Sequence, residues 1–300
     1  LYAGKLMPPS RSGELVVRTR LIERFFNNDK PVTLLMAPAG FGKTMLMTQL
    51  HQSLKELGQS VTWLSLDERD NDFSRFFIYV KEAICNLGIF GLPTVKKDVS
   101  LRESTYSDLR AESYELIDQI GSSSAAFTLF LDDYDKIQSA EVISFTTDLI
   151  RVMNPGQKLV IGSRSMRRLP LATIEVNGQM NRIDSDDLIF NLDETTLFFQ
   201  KQGCRELSRE DINCLQSKID GWAAGLRLVS LGLPNQGNVS KWINDLSLST
   251  DSISAYLSEN ILAKLPAKIC NFMIETCILD QINGDICDAV LETNGCSQLI

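Results

Sequence analysis

Two textures alternate along most of the chain. Short apolar runs, Val32-Thr33-Leu34-Leu35-Met36, Val61-Thr62-Trp63-Leu64-Ser65-Leu66, Phe127-Thr128-Leu129-Phe130-Leu131 and Lys158-Leu159-Val160-Ile161-Gly162, are separated by stretches whose apolar positions recur every three or four residues. A continuous run rich in β-branched and aromatic residues predicts a strand buried on both faces, as in a parallel sheet. The intervening periodicity predicts helices over Met45 to Leu57, Phe73 to Leu87 (Phe73, Phe76, Phe77, Val80, Ile84, Leu87), Tyr106 to Ile120 and Ser139 to Val152. Asp70-Asn71-Asp72 caps the second of these, and Gly88 to Ser104, with Gly91 and Pro93, reads as a loop. Strands alternating with helices over short links build an α/β fold, a doubly wound and mostly parallel sheet covered on both faces.

From about Asn191 the pattern turns helical. Leu192-Asp193 opens a helix through Phe198 and Phe199 with Asp193 as its cap, Ser208 opens one through Ile219, and Gly221-Trp222 leads a third through Leu231. Leu233 to Asn238 is a turn-rich break, after which Asp251 to Leu262, Pro266 to Thr276 and Gly284 to Leu291 read as further helices. The expected division is a sheet domain over 1–190, a helical domain over 191–248 and a third domain beginning at 249 and running to 300.

Three hundred residues suit two or three domains with sizeable cores. The 30 basic and 38 acidic residues leave a net charge of -8, which argues against this segment as the main nucleic-acid surface. The longest apolar runs are strand-sized, far short of a membrane span, and Lys5, Pro8, Pro9 and Arg11 interrupt any signal-peptide core. The seven cysteines form no CxxC pair and have only His51 as an imidazole partner, which fits reduced, buried thiols in a cytoplasmic protein. The chain opens on Leu and stops at Leu299-Ile300 within an apolar pattern, as expected of a segment of something longer.

Chemistry concentrates at the strand ends. Ala37-Pro38-Ala39-Gly40-Phe41-Gly42-Lys43-Thr44 follows the first strand and opens a helix, the setting of a phosphate-binding loop. Lys43 can reach the β- and γ-phosphates and the Thr44 hydroxyl can hold Mg²⁺. Ala37 stands where the motif has Gly, which the loop tolerates if its φ is negative. Asp132-Asp133 ends a strand in the same chain, where an Asp shares the metal with the loop hydroxyl. Asp132 is that candidate, whereas Asp133 could orient a water or act behind it; the plain alternative for the pair is a helix cap. Ser163-Arg164 ends another strand, and Arg164 could sense a γ-phosphate. Val16 and Val17 could line an adenine pocket with Arg18 on the base or sugar; the plain alternative is a domain edge. Arg167 and Arg168 receive no role, and the helical half holds no acid, base or nucleophile constellation.

Together these motifs resemble the MalT-like branch of the STAND nucleotide switches, large bacterial LuxR-type transcriptional regulators. The resemblance runs through Lys5-Leu6-Met7-Pro8-Pro9, Leu15-Val16-Val17-Arg18, the phosphate loop, Trp63-Leu64-Ser65-Leu66-Asp67, Asp70-Asn71-Asp72 with Arg75-Phe76 and the Asp132-Asp133 strand. It continues through Gly162-Ser163-Arg164, Gly221-Trp222-Ala223-Ala224-Gly225-Leu226, Ile278-Leu279-Asp280 and Cys287-Asp288-Ala289-Val290. It implies a P-loop nucleotide-binding domain, a helical domain and the start of a winged helix. Residues Ala39, Gly40, Phe41, Gly42, Lys43 and Thr44 would hold phosphate, Thr44 and Asp132 Mg²⁺, Val17 and Arg18 the adenine side, with Arg164 as sensor. The implied behaviour is ADP bound at rest, ATP in the active state, self-association, and slow hydrolysis as reset. Inducer and DNA would be met by C-terminal parts absent from this chain, with no membrane partner. Arg227 occupies the place where related switches set a proline against the base. Competing readings are a metabolic P-loop kinase or hydrolase, and a scaffold that keeps nucleotide for stability alone.

Overall fold

The computed structural model describes residues 2–10, 15–89, 106–165, 171–204, 207–233, 239–245, 265–277, 279, 284–291, 293 and 295–298. Arg167, Arg168, Ile278, Asp280, the 251–262 helix and most of the Gly88–Ser104 loop lie outside them. Contacts divide the chain into two units, Leu1–Ser240 and Lys241–Ile300.

The first unit is built on five parallel strands, β1 (Val32–Met36), β2 (Val61–Ser65), β3 (Phe127–Asp132), β4 (Gln157–Ser163) and β5 (Met180–Asp184), in the order β2-β3-β4-β1-β5. Strand β4 is thus inserted between β1 and β3. Alternate residues leave for opposite faces, as the two-residue repeat of a strand requires. Leu34, Leu64, Leu129, Leu131, Leu159 and Ile161 pack into one cluster with α3 (Phe73–Cys85), α4 (Tyr106–Ser122) and α5 (Ala140–Val152). Leu35, Trp63, Phe130, Val160 and Ile183 pack into another with α1 (Thr19–Phe26) and α2 (Lys43–Glu56). Each fully buried large apolar side chain contributes roughly 1.5–3 kcal/mol. The Phe73-Phe76-Phe77 stripe is therefore core, and His51 packs edge-on against Trp63 and Phe130.

Edge strand β5 is absent from the pattern-based expectation. Its Met180 and Ile183 are buried but Asn181 is buried beside them and Arg182 is exposed, so the run carries neither a continuous nor an alternating apolar signal. After α6 (Leu171–Val176) and α7 (Ser185–Leu188) the chain enters α8 (Leu192–Lys201), α9 (Arg209–Ile219) and α10 (Ala223–Gly232). The cap of α8 is Asn191, not Asp193: the Asn191 side chain accepts from the Glu194 N–H while Glu194 reaches back to the Asn191 N–H, a reciprocal arrangement that Asp193 could not complete. Ser208 caps α9 as expected. Gly221, at φ +67°, joins α9 to α10, and a Cβ there would stand 2.2 Å from the Phe190 carbonyl oxygen.

In the second unit, α12 (Ala267–Thr276) and α13 (Gly284–Leu291) follow α11 (Val239–Asp245) and close on a small core of Phe272, Cys287 and Cys296, joined by Leu279 and Leu291. None of the seven cysteines is in a disulfide, and Cys85, Cys287 and Cys296 are buried; Cys277 is exposed, against the expectation of burial throughout. No helix among the described residues is long and apolar enough to cross a membrane.

Candidate functional site

The loop Ala37 to Gly42 turns β1 into α2 with Gly40 and Gly42 at φ 83° and 87°, conformations that strain any side chain. Ala37 keeps a negative φ and is buried, its N–H donating to the Ser163 carbonyl at 3.3 Å, so the missing first glycine costs the loop nothing. Gly42 caps α2 without a side-chain oxygen and the first turn holds no acidic residue. Asp72, Asn191 and Ser208 each supply such an oxygen to α3, α8 and α9. Because the first intrahelical bond of α2 runs from Leu46 N–H to Gly42 O, the amides of Lys43 to Met45 have no acceptor within the helix. Amides and helix dipole together favour an anion.

Lys43 is buried and folds back onto the loop, donating to the carbonyls of Ala37 at 2.5 Å and Pro38 at 3.0 Å. Burial pushes its pKa down and the Arg164 charge pushes the same way, against Asp135, Asp133 and Asp132.

The Thr44 hydroxyl donates to Asp132 Oδ1 at 3.2 Å, although β1, which leads into the helix carrying Thr44, and β3, which ends on Asp132, are not neighbours. Gly162 makes this possible. A Cβ at that position of the inserted β4 would meet Met47 Sδ at 2.5 Å and Asp132 Oδ1 at 2.8 Å. Burial pushes the Asp132 carboxyl up to about 6, helped by the Asp133 charge and opposed by the Thr44 bond and Lys43. A desolvated carboxylate beside a hydroxyl is an oxygen donor set suited to a hard cation that retains water, such as Mg²⁺.

Asp133 takes φ 57° and leads into the turn Tyr134–Lys136. There Asp135 Oδ1 accepts from the Arg164 N–H at 3.0 Å, and Asp135 Oδ2 lies 3.9 Å from Arg164 Nε. Lys43, Thr44, Asp132, Asp133 and Arg164 therefore meet at the C-terminal ends of β1, β3 and β4. Asp135 completes the group and was not singled out from the sequence.

The N-terminal lead behaves differently. Val16 and Arg18 are buried while Val17 is 53% exposed. Gln49 of α2 ties both neighbours, accepting from the Arg18 N–H at 2.9 Å and donating to the Val16 carbonyl at 2.8 Å. The Arg18 guanidinium donates to Glu194 Oε1 at 3.0 Å and the Ile189 carbonyl at 3.1 Å, and lies 4.3 Å over the Phe190 ring. Burial lowers its pKa and Glu194 opposes the shift.

The helical segment also reaches the loop. The Ala224 N–H at the start of α10 donates to the Gly40 carbonyl at 3.0 Å, and a Cβ on Gly42 would lie 4.0 Å from Ala223 Cβ. The resemblance runs through this stretch, Gly221 to Leu226, but gives Ala223 and Ala224 no role of their own. Arg227 donates to the Gln202 side chain. A concavity of about 690 Å³ among Asn27, Lys30, Asn154, Gln157 and Gln179 lies before β1, β4 and β5, at the opposite ends of the strands from this chemistry.

A parallel sheet with one strand inserted between the phosphate-loop strand and the acidic strand, helices on both faces and Thr44 bonded to Asp132 define a P-loop NTPase fold. Residues 258–300 match the model of the MalT winged helix domain. The serine/threonine-protein kinase PknK of Mycobacterium tuberculosis is 29% identical over 301 residues, covering 99% of this chain and 27% of that protein. The HTH-type transcriptional regulator MalT of Klebsiella pneumoniae is 28% identical over 303 residues, covering 100% of this chain and 33% of that protein. The chain thus spans between a quarter and a third of the length of these relatives, and its similarity to the MalT regulator extends over all of it. Among solved structures, Cdc6p from Pyrobaculum aerophilum aligns at TM-score 0.47 and 15% identity, covering 98% of this chain and 86% of that one.

Proposed function

We propose that this chain is the nucleotide-controlled module of a cytoplasmic, MalT-like transcriptional regulator. It would bind ATP or ADP with Mg²⁺, hydrolyse ATP slowly and self-associate in the ATP state. Inducer and DNA would be handled by parts of the regulator outside these residues. The proposed division is a nucleotide-binding domain over 1–190, a helical domain over 191–248 and a winged-helix domain from 249.

The observation that carries this is the Thr44–Asp132 contact beside a helix start that the chain itself leaves uncapped. Ala39 to Gly42, Lys43 and the first amides of α2 would hold phosphate, and Thr44 with Asp132 would hold the metal, which supplies positive charge to the β- and γ-phosphate oxygens. Arg164 would read the terminal phosphate. Asp133 would orient the attacking water or act behind Asp132. Val17 would meet the adenine side, with Arg18 anchoring the segment that carries it. The Ala224–Gly40 bond supports a switch over a freestanding enzyme, since the helical segment shares the loop that would change with the nucleotide.

Calorimetric titration of wild type and Lys43→Ala with Mg-ATP and Mg-ADP tests the site. Loss of binding in the variant is expected, and equal affinity in both proteins would refute it. Light scattering with each nucleotide tests the switch, which predicts a larger particle with ATP.

A further inference from the structure

Asp135 lies outside every motif used above, yet it is the residue that holds Arg164. Its turn is pinned from another element: Asn71 Nδ2 donates to the Lys136 carbonyl at 2.9 Å, and Asn71 Oδ1 accepts from Gln138 N–H at 2.5 Å and Ser139 N–H at 2.8 Å. Tyr134, beside it, is buried. The Asp135 side chain is 13% exposed and that of Arg164 33%. One carboxylate oxygen fixes the Arg164 main chain at 3.0 Å, while the guanidinium lies at a longer distance, 3.9 Å, from the other oxygen. The carboxylate is therefore the fixed partner and the guanidinium the movable one. The residue before Arg164, Ser163, accepts from the Ala37 N–H at 3.3 Å, so Arg164 follows directly on the strand end that meets the phosphate loop, and its charge acts on Lys43.

Resting on the nucleotide reading above, we infer that Asp135 is a positioning residue that restrains Arg164 from the phosphate site and so sets the preference between nucleoside triphosphate and diphosphate. A terminal γ-phosphate competes with Asp135 for the guanidinium. A diphosphate offers no such group and leaves the Asp135–Arg164 contact intact. The restraint thus weakens triphosphate binding alone.

The test is titration of wild type, Asp135→Asn, Arg164→Ala and the double variant with Mg-ATP and Mg-ADP. Asp135→Asn is expected to raise the ATP-to-ADP affinity ratio roughly twofold to fivefold, the range of a half-exposed ion pair. In the Arg164→Ala background the same change should leave the ratio unaltered. If the amide variant does not fold, Asp135→Ser retains an acceptor for the Arg164 N–H and replaces it in the scheme. An unchanged ratio in the single variant overturns the inference, as does a shift that persists without Arg164, which would assign it to net charge. A wild type that binds neither nucleotide overturns the nucleotide reading itself, a distinct result.

Discussion

Replacing Asp132 by Asn should make the nucleotide-free protein more stable. The carboxyl is 4% exposed and its pKa lies near 6 in the fold, against 3.8 in the unfolded chain. The folded state therefore keeps a proton that the unfolded state releases as pH rises from about 4 to about 6. Stability from this group is intact below that window, declines through it and stays diminished above it. A shift of about two units is worth about 3 kcal/mol. Part of that gain goes to satisfying the new amide, so an advantage of about 1–3 kcal/mol is expected at pH 8. Urea denaturation in EDTA at pH 4.5 and pH 8 measures it, with the gap between the proteins largely closed at the lower pH. Adding Mg-ATP should narrow or reverse the gap, because wild type is expected to bind the metal complex more tightly and ligand stabilisation as a whole reaches about 2.7 kcal/mol at a hundredfold excess over Kd. A variant no more stable than wild type at pH 8, or a gap independent of pH, would refute the assignment of Asp132 as a desolvated anion.

Gly221→Ala combines a left-handed φ with a Cβ 2.2 Å from the Phe190 carbonyl oxygen, and should cost about 2–4 kcal/mol of unfolding free energy, read by denaturant titration. Arg18→Ala strands Glu194 beside Ile189 and Phe190, and about 3 kcal/mol of lost stability is expected, partly recovered in Arg18→Ala/Glu194→Gln. Asp133→Asn preserves a residue type that tolerates the left-handed backbone, so melting temperature should hold while single-turnover ATP hydrolysis falls by 10²–10⁴-fold if Asp133 positions water; an unchanged rate assigns it to the background.

Local chemistry was legible and distant partnership was not. The phosphate loop and Asp132 stand out because a buried run, a turn and a helix start are contiguous in the chain. Gly162 was read as the end of a strand, since nothing near it in sequence shows that Thr44 and Asp132 meet over it. The ion pair of Arg18 could not be read from the sequence because Glu194, which takes its guanidinium, lies in another domain of the expected division. Strand β5 was invisible for the same reason: Asn181 and Met180 are buried by β1 and the helices around it, not by any pattern of their own. Asp135 needed the turn geometry that brings it to the end of β4.

The bond between the Gly40 carbonyl and the Ala224 amide makes the sheet and the helices after it a poor place to cut. A fragment trimmed at the last strand would surrender that amide and the acid that neutralises Arg18 at once. The smallest piece able to stand alone therefore extends through α10, and any tug on that helix is felt, one peptide away, where phosphate would sit.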